Sequence, residues 1–211
     1  MLCFVHPLTV LMTCSETKAK INITIGGISM IASLTGMRVT LREMEENDWI
    51  DVHAYASLPT VSEYQPWGPN SEEDSLEFVQ QVISDSKEIP RSRFVFAAMV
   101  ENKLIGSGEI NIQDFIDRKG EIGYVVHPDY WGMGYATEVA KILIEFGFSQ
   151  LGLHRISATC DPKNIGSVKV LEKAGLKREG TIRDDFLIHN GWRDSHLYGI
   201  LEHEWSKNSP F

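Results

Sequence analysis

Alternating apolar and polar residues predict strands along much of this chain, and a period near 3.6 predicts helices between them. Glu101 to Lys103 form a hairpin turn between the first two long strands. The predicted strands are 38–42, 93–100, 104–112, 119–126, 154–160, 176–182 and 194–201. The predicted helices are 46–57, 71–87, 135–149 and 164–174, with a Pro-rich loop through Pro59, Pro66 and Pro69. This order predicts an α+β three-layer sandwich around a mixed sheet.

The segment HPDYWGMGYATE (127–138) joins a predicted strand to a predicted helix through two glycines. Pro128 ends the strand because it has no N–H group for the ladder. Gly132 and Gly134 permit a positive φ and the close approach of a ligand. The backbone N–H groups of residues 131–136, at the positive end of a helix, can then point at one anion. The segment therefore predicts a pyrophosphate site.

Two better-known phosphate motifs do not fit this segment. The dinucleotide fingerprint requires a third small residue where Thr137 stands, and no acidic residue ends a following parallel strand. The ATP-type loop requires Gly-Lys-Ser/Thr, a triplet that occurs nowhere in the sequence. The remaining alternative is a glycine turn that merely precedes a helix.

The helix predicted at 164–174 begins with the pattern N-x-x-S. Asn164 and Ser167 are three residues apart and share one face of the first turn, where an amide and a hydroxyl can reach a ligand. Gly175 is expected to end this helix in a left-handed conformation. The opposite stripe, which is expected to face the core, consists of Val168, Leu171 and Ala174.

Taken together, Y-W-G-x-G-Y-A-T-E, a strand, N-x-x-S and K-A-G resemble the GNAT superfamily of N-acetyltransferases, and within it the RimJ/RimL-like branch of ribosomal-protein N-terminal acetyltransferases. The likeness covers residues 37–205 and begins at RVTLREMEENDW (38–49). It implies a three-layer α/β/α sandwich whose mixed, mostly antiparallel sheet has two splayed central strands. It also implies acetyl-CoA as the donor. Asp129 stands where the superfamily often has Gln or Arg, and its carboxylate is unsuited to holding a phosphate.

The resemblance implies that the pyrophosphate lies on the glycine loop and the pantetheine arm between the splayed strands. Lys169 or Lys173 could add positive charge to this site, although exposed helix lysines are usually only solvated. The residues implied around acetyl-CoA are Val125, Val126, Trp131, Gly132, Met133, Gly134, Tyr135, Ala136, Asn164 and Ser167.

Acetyl transfer to an amine requires that the amine loses a proton and that the departing thiolate gains one. Glu121 begins the strand that leads into the loop, and in some superfamily members the matching glutamate is the base. The equal alternative is a glutamate at a strand edge that faces solvent. Glu109, on the neighbouring strand, is the second candidate base. Ser167 matches a serine proposed as the acid in the ribosomal branch, although a serine in a first helical turn often bonds only its own backbone.

The sequence thus predicts acetyl transfer from acetyl-CoA to a primary amine by direct attack in a ternary complex. The branch resemblance favours the α-amino group of a protein or peptide, and a polyamine, aminoglycoside or amino acid is the alternative. A non-catalytic acetyl-CoA sensor is the alternative from another class. The segment QPWG (65–68) is a candidate lid over the acceptor, and its aromatic residue could equally anchor the core. A homodimer, common in the resembled branch, is a further expectation.

The amino-acid composition limits the kinds of partner that the chain is expected to bind. The 29 Asp and Glu residues against 20 Lys and Arg argue against nucleic acid. No apolar run approaches the ~20 residues of a membrane span. Cys3, Cys14 and Cys160 are too scattered for a disulfide framework or a metal site, which fits a reducing cytoplasm. Cys160 is predicted to be a small buried residue. Four histidines are possible bases that no motif supports, namely His127, His154, His189 and His196.

The first 36 residues have no clear helical or strand period and are predicted to form an N-terminal extension. Residues 37–206 form the predicted N-acetyltransferase domain, and 207–211 form a tail. Met37 stands directly before the family-like segment and is a candidate native start. The opening segment lacks basic residues at its start and is interrupted by Pro7, which argues against a signal sequence.

Overall fold

A nine-stranded sheet organises the described part of the chain in this computed structural model, which describes residues 20–23, 29–189 and 191–208. The strands are β1 (Lys20–Ile23), β2 (Ser29–Thr35), β3 (Thr40–Glu43), β4 (Arg93–Val100), β5 (Lys103–Asp114), β6 (Lys119–Val126), β7 (Arg155–Cys160), β8 (Lys177–Ile188) and β9 (Gly191–Leu201). Their spatial order is β1-β2-β3-β4-β5-β6-β7-β9-β8. Neighbouring strands are antiparallel except for β6 and β7, which are parallel. The predicted mixed, mostly antiparallel sheet is confirmed.

Helices cover both faces of this sheet. They are α1 (Trp49–Ala56), α2 (Pro59–Ser62), α3 (Glu72–Asp85), α4 (Tyr135–Ser149), α5 (Ile165–Lys173) and α6 (Glu202–Asn208). The predicted helix over 46–57 is wrong in its first turn, because Glu46–Asp48 forms a 3-10 turn with a capping box between Glu45 and Asp48. The Pro-rich segment, predicted as a loop, contains α2, which begins at Pro59.

Two apolar clusters, one on each face of the sheet, hold the layers together. On one face α4 buries Val139, Leu143 and Phe146, spaced at i, i+4 and i+7, against the strands. On the other face α1 and α3 bury Val52 and Val79. Each such side chain, fully buried, contributes about 1.5–3 kcal/mol. These clusters produce the predicted three-layer sandwich, which is confirmed.

Strand β2 extends the sheet before residue 37, since Leu34 lies opposite Leu41 of β3 and is buried in the core. The division of the chain at residue 37 and the tail from 207 stay predictions. The opening segment with Cys3, Cys14 and Pro7, and residues 209–211, lie outside the described residues.

The parallel pairing of β6 with β7 is short and opens the sheet. Only Lys119 to Glu121 pair with β7, opposite Arg155 to Ser157. From Ile122 onward the two strands separate, and the space between them is open to a ligand. This is the expected splay of two central strands.

Candidate active site

A cleft of about 730 Å³ lies where β6 and β7 separate. Its floor is formed by β5, β6 and β7, one side by the start of α5, and its roof by the segment 64–70. Five of the residues predicted for catalysis or for acetyl-CoA line it, namely Glu109, Glu121, Val125, Asn164 and Ser167, together with the predicted lid at 65–68. The fold therefore brings both candidate bases and the N-x-x-S pair to one place.

The glycine loop lies at the far end of β6. A 3-10 turn over Pro128–Tyr130 follows the strand, and Gly132 and Gly134 have φ angles of 76° and 85°. Gly134 is the N-cap of α4, whose first N–H groups have no carbonyl one turn earlier to accept them. The loop thus has the left-handed geometry expected of a pyrophosphate site.

Contacts made by Trp131 and Val126 reduce the number of backbone N–H groups that the glycine loop can offer to an anion. The Trp131 backbone N–H donates to the Pro128 carbonyl at 3.0 Å, and its indole Nε1 donates to the Val126 carbonyl at 2.6 Å. The loop donors left for an anion therefore begin at Gly132. The Val126 side chain is buried in the core, so only the backbone of Val126 is near the loop.

Arg38 supports the loop from the strand side, a contact that the sequence did not indicate. Its guanidinium donates to the Met133 carbonyl at 3.1 Å and lies 4.6 Å from the ring centre of Tyr135. Glu138 of α4 accepts hydrogen bonds from the backbone N–H groups of Arg38 at 2.5 Å and Val39 at 2.9 Å. The turn before β3 and the loop are thereby held together.

Glu121 faces the cleft and has the environment of a base. Its Oε2 accepts a hydrogen bond from Gln113 Nε2 at 2.6 Å, and its Oε1 accepts one from Thr159 Oγ1 at 3.4 Å. Burial raises the pKa of Glu121, and the nearby carboxylates of Glu109 and Asp185 raise it further. A carboxylate with a raised pKa binds a proton more readily, as a general base must.

Glu109 lies on the same face of the sheet but is engaged in an ion pair. Its Oε2 is 3.2 Å from the Arg93 guanidinium, which also bonds Asp85 at 2.9 Å. This ion pair occupies one oxygen of Glu109, whereas Glu121 accepts hydrogen bonds from the neutral side chains of Gln113 and Thr159. We therefore rank Glu121 first, as the sequence did.

The N-x-x-S pair begins α5 as expected. The Asn164 side-chain oxygen accepts the Ser167 N–H at 3.0 Å, so Asn164 caps the helix and keeps only its NH₂ group for a ligand. The Ser167 hydroxyl lies 2.9 Å from the phenol oxygen of Tyr124 on β6. The predicted core stripe is confirmed, with Leu171 fully buried, and Gly175 follows the helix with a φ of 99°.

Two contacts join the roof of the cleft to the β8–β9 hairpin. The backbone carbonyl of Gly68 lies 2.5 Å from His189 Nε2, and the Tyr64 carbonyl accepts a hydrogen bond from Arg193. Trp67 lines the cleft and also packs against the core cluster of α1 and α3. The segment predicted as a lid is thus both a wall of the cleft and a core anchor.

Tyr124 and Arg193 line the cleft and were not predicted from the sequence. Arg38, at the glycine loop, and Asp185, near Glu121, lie outside the lining and were not predicted either. Asp185 Oδ2 is buried and has no hydrogen-bond partner among the described residues. Lys169 and Lys173 are exposed on α5. Cys160 is buried, as expected, and burial raises the pKa of its thiol to about 11.

Comparison with known proteins agrees with this geometry. Residues 38–177 match the family described as Acetyltransferase (GNAT) domain. The chain belongs to the GNAT acetyltransferase family. It is 39% identical over 173 residues to Uncharacterized N-acetyltransferase YnaD of Bacillus subtilis (strain 168), covering 82% of this chain and 99% of that protein.

Solved structures show the same fold. The crystal structure of a GNAT-family acetyltransferase from Bacillus anthracis is 35% identical, with a TM-score of 0.71, and covers 81% of this chain and 99% of that one. The spermidine N-acetyltransferase of Vibrio cholerae, solved with CoA and spermine, is 23% identical, with a TM-score of 0.71 and the same coverage. The second likeness supports the fold alone.

This GNAT protein is therefore an acyltransferase, and its relatives are named N-acetyltransferases. Within residues 20–23, 29–189 and 191–208, no group of three His, Cys, Asp or Glu side chains is placed to hold a metal ion. In the same ranges no helix has the length and apolar character needed to cross a membrane.

Proposed function

We propose that this enzyme transfers acetyl from acetyl-CoA to the primary amine of a small cationic acceptor of the polyamine type. The observation that supports this most is the unpaired, buried Oδ2 of Asp185, close enough to Glu121 to raise its pKa. Asp185 does not itself line the cleft, and Arg193 Nε is a buried donor that likewise lacks a partner within the described ranges. The support therefore comes from the negative charge of Asp185 beside Glu121, which favours a cationic acceptor. The Vibrio cholerae protein of the same fold is named for such a substrate, spermidine.

The charges in the cleft favour a cationic acceptor. In the part of the chain that the structure describes, four carboxylates line the cleft, those of Asp74, Glu109, Glu121 and Asp161, against two arginines, Arg93 and Arg193, although Arg193 Nε is buried without a partner there. Arg93 bonds Asp85 and Glu109, and Arg193 bonds the Tyr64 carbonyl and Ser195. The remaining field is negative, which attracts a second ammonium of the acceptor.

The reaction follows from this arrangement. The pyrophosphate of acetyl-CoA binds the loop from Gly132 to Ala136, and the pantetheine arm extends along the open edge of β6 near Val125. Glu121 removes a proton from the ammonium, directly or through one water molecule. Glu121 passes this first proton on to water. The neutral amine then attacks the thioester carbonyl, a C–N bond forms, the C–S bond breaks, and Glu121 takes the second proton that the nitrogen loses. Catalysis rests mainly on holding the two substrates together.

The α-amino group of a peptide is the second candidate acceptor, as the RimJ/RimL-like resemblance favours. Large apolar side chains are exposed on the hairpin beside the cleft, namely Phe186, Leu187 and Trp192. Phe186 also lines the cleft, so these side chains can contact the first residues of a peptide. The scattered cysteines favour a cytoplasmic location for either reaction, and the homodimer stays a prediction.

Steady-state kinetics of thiol release test this proposal. We expect a kcat/KM at least about ten-fold higher for a linear diamine than for the monoamine of equal length, because the second ammonium meets a carboxylate. Asp185→Asn removes most of this preference. Asp184→Asn is the matched control, because Asp184 is exposed next to it. Equal kcat/KM values for the two amines, or a better peptide substrate, would reject the polyamine-type acceptor.

A further inference from the structure

Two hydroxyl groups meet where β6 and β7 separate, and only one of them was predicted to act. The phenol oxygen of Tyr124 lies 2.9 Å from Ser167 Oγ and 3.4 Å from the Ser167 carbonyl oxygen. Both residues line the cleft that receives the thioester. The pKa of Tyr124 is strongly raised, chiefly by burial, so its phenol stays protonated.

The direction of this hydrogen bond follows from acidity. A phenol is a much stronger acid than an alcohol, and the stronger acid donates. When Tyr124 donates to Ser167 Oγ, the serine hydroxyl proton can point into the cleft or toward the adjacent Cys160 thiol. The Ser167 N–H is already bound to Asn164 Oδ1, which fixes the first turn of α5 around this pair.

Neither hydroxyl is acidic enough to give its proton to a departing thiolate. An ordinary cysteine thiol has a pKa of about 8.5 and an ordinary phenol about 10. Proton transfer from Tyr124 or Ser167 to the sulfur would therefore be unfavourable. A hydrogen bond from Ser167 to the sulfur is favourable, and a chain of two hydrogen bonds strengthens each member.

We propose that Tyr124 is a positioning residue for acetyl transfer, whose phenol orients the Ser167 hydroxyl toward the CoA sulfur and so stabilises the thiolate as it leaves. The proposal rests on the proposed function. The C–N bond forms, the C–S bond breaks, Glu121 holds the amine proton, and the sulfur keeps its electron pair. The thiolate takes its proton from water after release. Ser167 thus donates a hydrogen bond to the sulfur and does not transfer its proton. The family resemblance had instead implied that Ser167 acts as the acid.

One neighbour competes with the CoA sulfur for the serine hydroxyl, because Ser167 also hydrogen-bonds the Cys160 side chain. A neutral thiol is a weaker acceptor than a departing thiolate, so the thiolate is the preferred partner. Cys160 is adjacent, and because burial raises the pKa of its thiol to about 11, it is neutral at physiological pH. The other titratable or charged groups that influence Tyr124 or Cys160 are Asp161, Arg178, Arg193 and Tyr198. Tyr198 donates to Glu172 at 3.5 Å, and its phenol is not a partner in the hydrogen bonds between Tyr124 and Ser167.

The test titrates the thiol of bound CoA by the ultraviolet absorbance of its thiolate, which needs no acceptor and separates this proposal from the proposed function. We expect Ser167→Ala to lower the thiolate fraction at a fixed pH about ten-fold and Tyr124→Phe about three-fold. The double variant should equal Ser167→Ala, since Tyr124 acts only through Ser167. Tyr198→Phe is the matched control and should titrate like the wild type.

A fluorinated tyrosine at position 124 tests the same hydrogen bond while the side chain keeps nearly the same shape. A monofluorinated tyrosine at position 124 is a stronger donor and should raise the thiolate fraction above that of the wild type. In turnover with an active amine, Tyr124→Phe should lower kcat about three-fold and leave the KM for acetyl-CoA unchanged. Unchanged thiolate fractions in Tyr124→Phe and the fluorinated protein, or additive losses in the double variant, would overturn the proposal.

Discussion

The ionised carboxylate of Glu121 is expected to be required for activity and to reduce the stability of the folded protein. Its raised pKa means that the folded protein disfavours the charged form, so the charge costs stability above the raised pKa and the cost disappears in acid. Glu121→Gln should therefore unfold at a higher urea concentration at neutral pH, but not in acid. It should also lower kcat about 100-fold or more, in the range that general bases contribute. A loss of activity together with a loss of stability would contradict this assignment.

The pH dependence of kcat/KM tests whether Glu121 is the base, because substitution of the neighbouring Glu109 should shift it. A base acts only when deprotonated, so kcat/KM should fall as pH drops through the pKa of Glu121, which burial raises above its ordinary value. Glu109 contributes to that rise through its charge. Glu109→Gln should move the acidic limb of the profile to lower pH while keeping most of kcat. A limb that stays in place in Glu109→Gln would show that another group titrates.

The loop before α4 is predicted to bind the pyrophosphate through its backbone, so a charge placed there should act strongly. Gly132 has a positive φ, and a Cβ added to it meets no atom within 4 Å, whereas one added at Gly134 approaches the Arg38 guanidinium at 3.4 Å. Gly132→Asp should raise the Kd for acetyl-CoA about ten-fold or more in calorimetry. Gly132→Asn is the matched control, because Asn and Asp both tolerate this conformation and differ in charge. Equal binding by the two variants would place the pyrophosphate elsewhere.

The contact between α4 and the turn before β3 should be important for stability. Glu138 is only 14% exposed and accepts two backbone N–H groups, from Arg38 and Val39. Glu138→Ala removes the acceptor of both donors; the Arg38 N–H is exposed and can bind water, whereas Val39 is buried, so the free energy of unfolding should fall by about 1–3 kcal/mol. Glu138→Gln keeps one oxygen and should cost about 1 kcal/mol. Urea unfolding measures both, and equal stability of the two variants would contradict this role.

Across the whole molecule, local sequence patterns predicted most helices and strands. Contacts between residues far apart along the chain could not be predicted in this way. The bounds of β4, β6 and α4 agree with the hydrophobic period, because each is long and regular. Helix α2 has only four residues and no period to detect. Gly132, Gly134 and the N-x-x-S pair were visible because each is a local pattern.

The partners of the site residues were not visible in the sequence. Tyr124 and Ser167 are 43 residues apart, Arg38 and Met133 are 95 apart, and Arg193 and Tyr64 are 129 apart. Such pairs depend on strand register and on the separation of β6 from β7. The sequence already ranked Glu121 above Glu109, and the structure added the ion pair between Glu109 and Arg93, which the sequence did not indicate.

The most direct measurement is a competition assay read by mass spectrometry. The wild-type protein is incubated with acetyl-CoA and an equimolar mixture of a linear polyamine and a short peptide with a free N-terminus. We predict that the acetyl group appears on a primary amine of the polyamine, and that Glu121→Gln forms far less of that product. Acetylation of the peptide alone would replace the proposed acceptor, and no acetylated product while acetyl-CoA remains bound would contradict the proposed reaction.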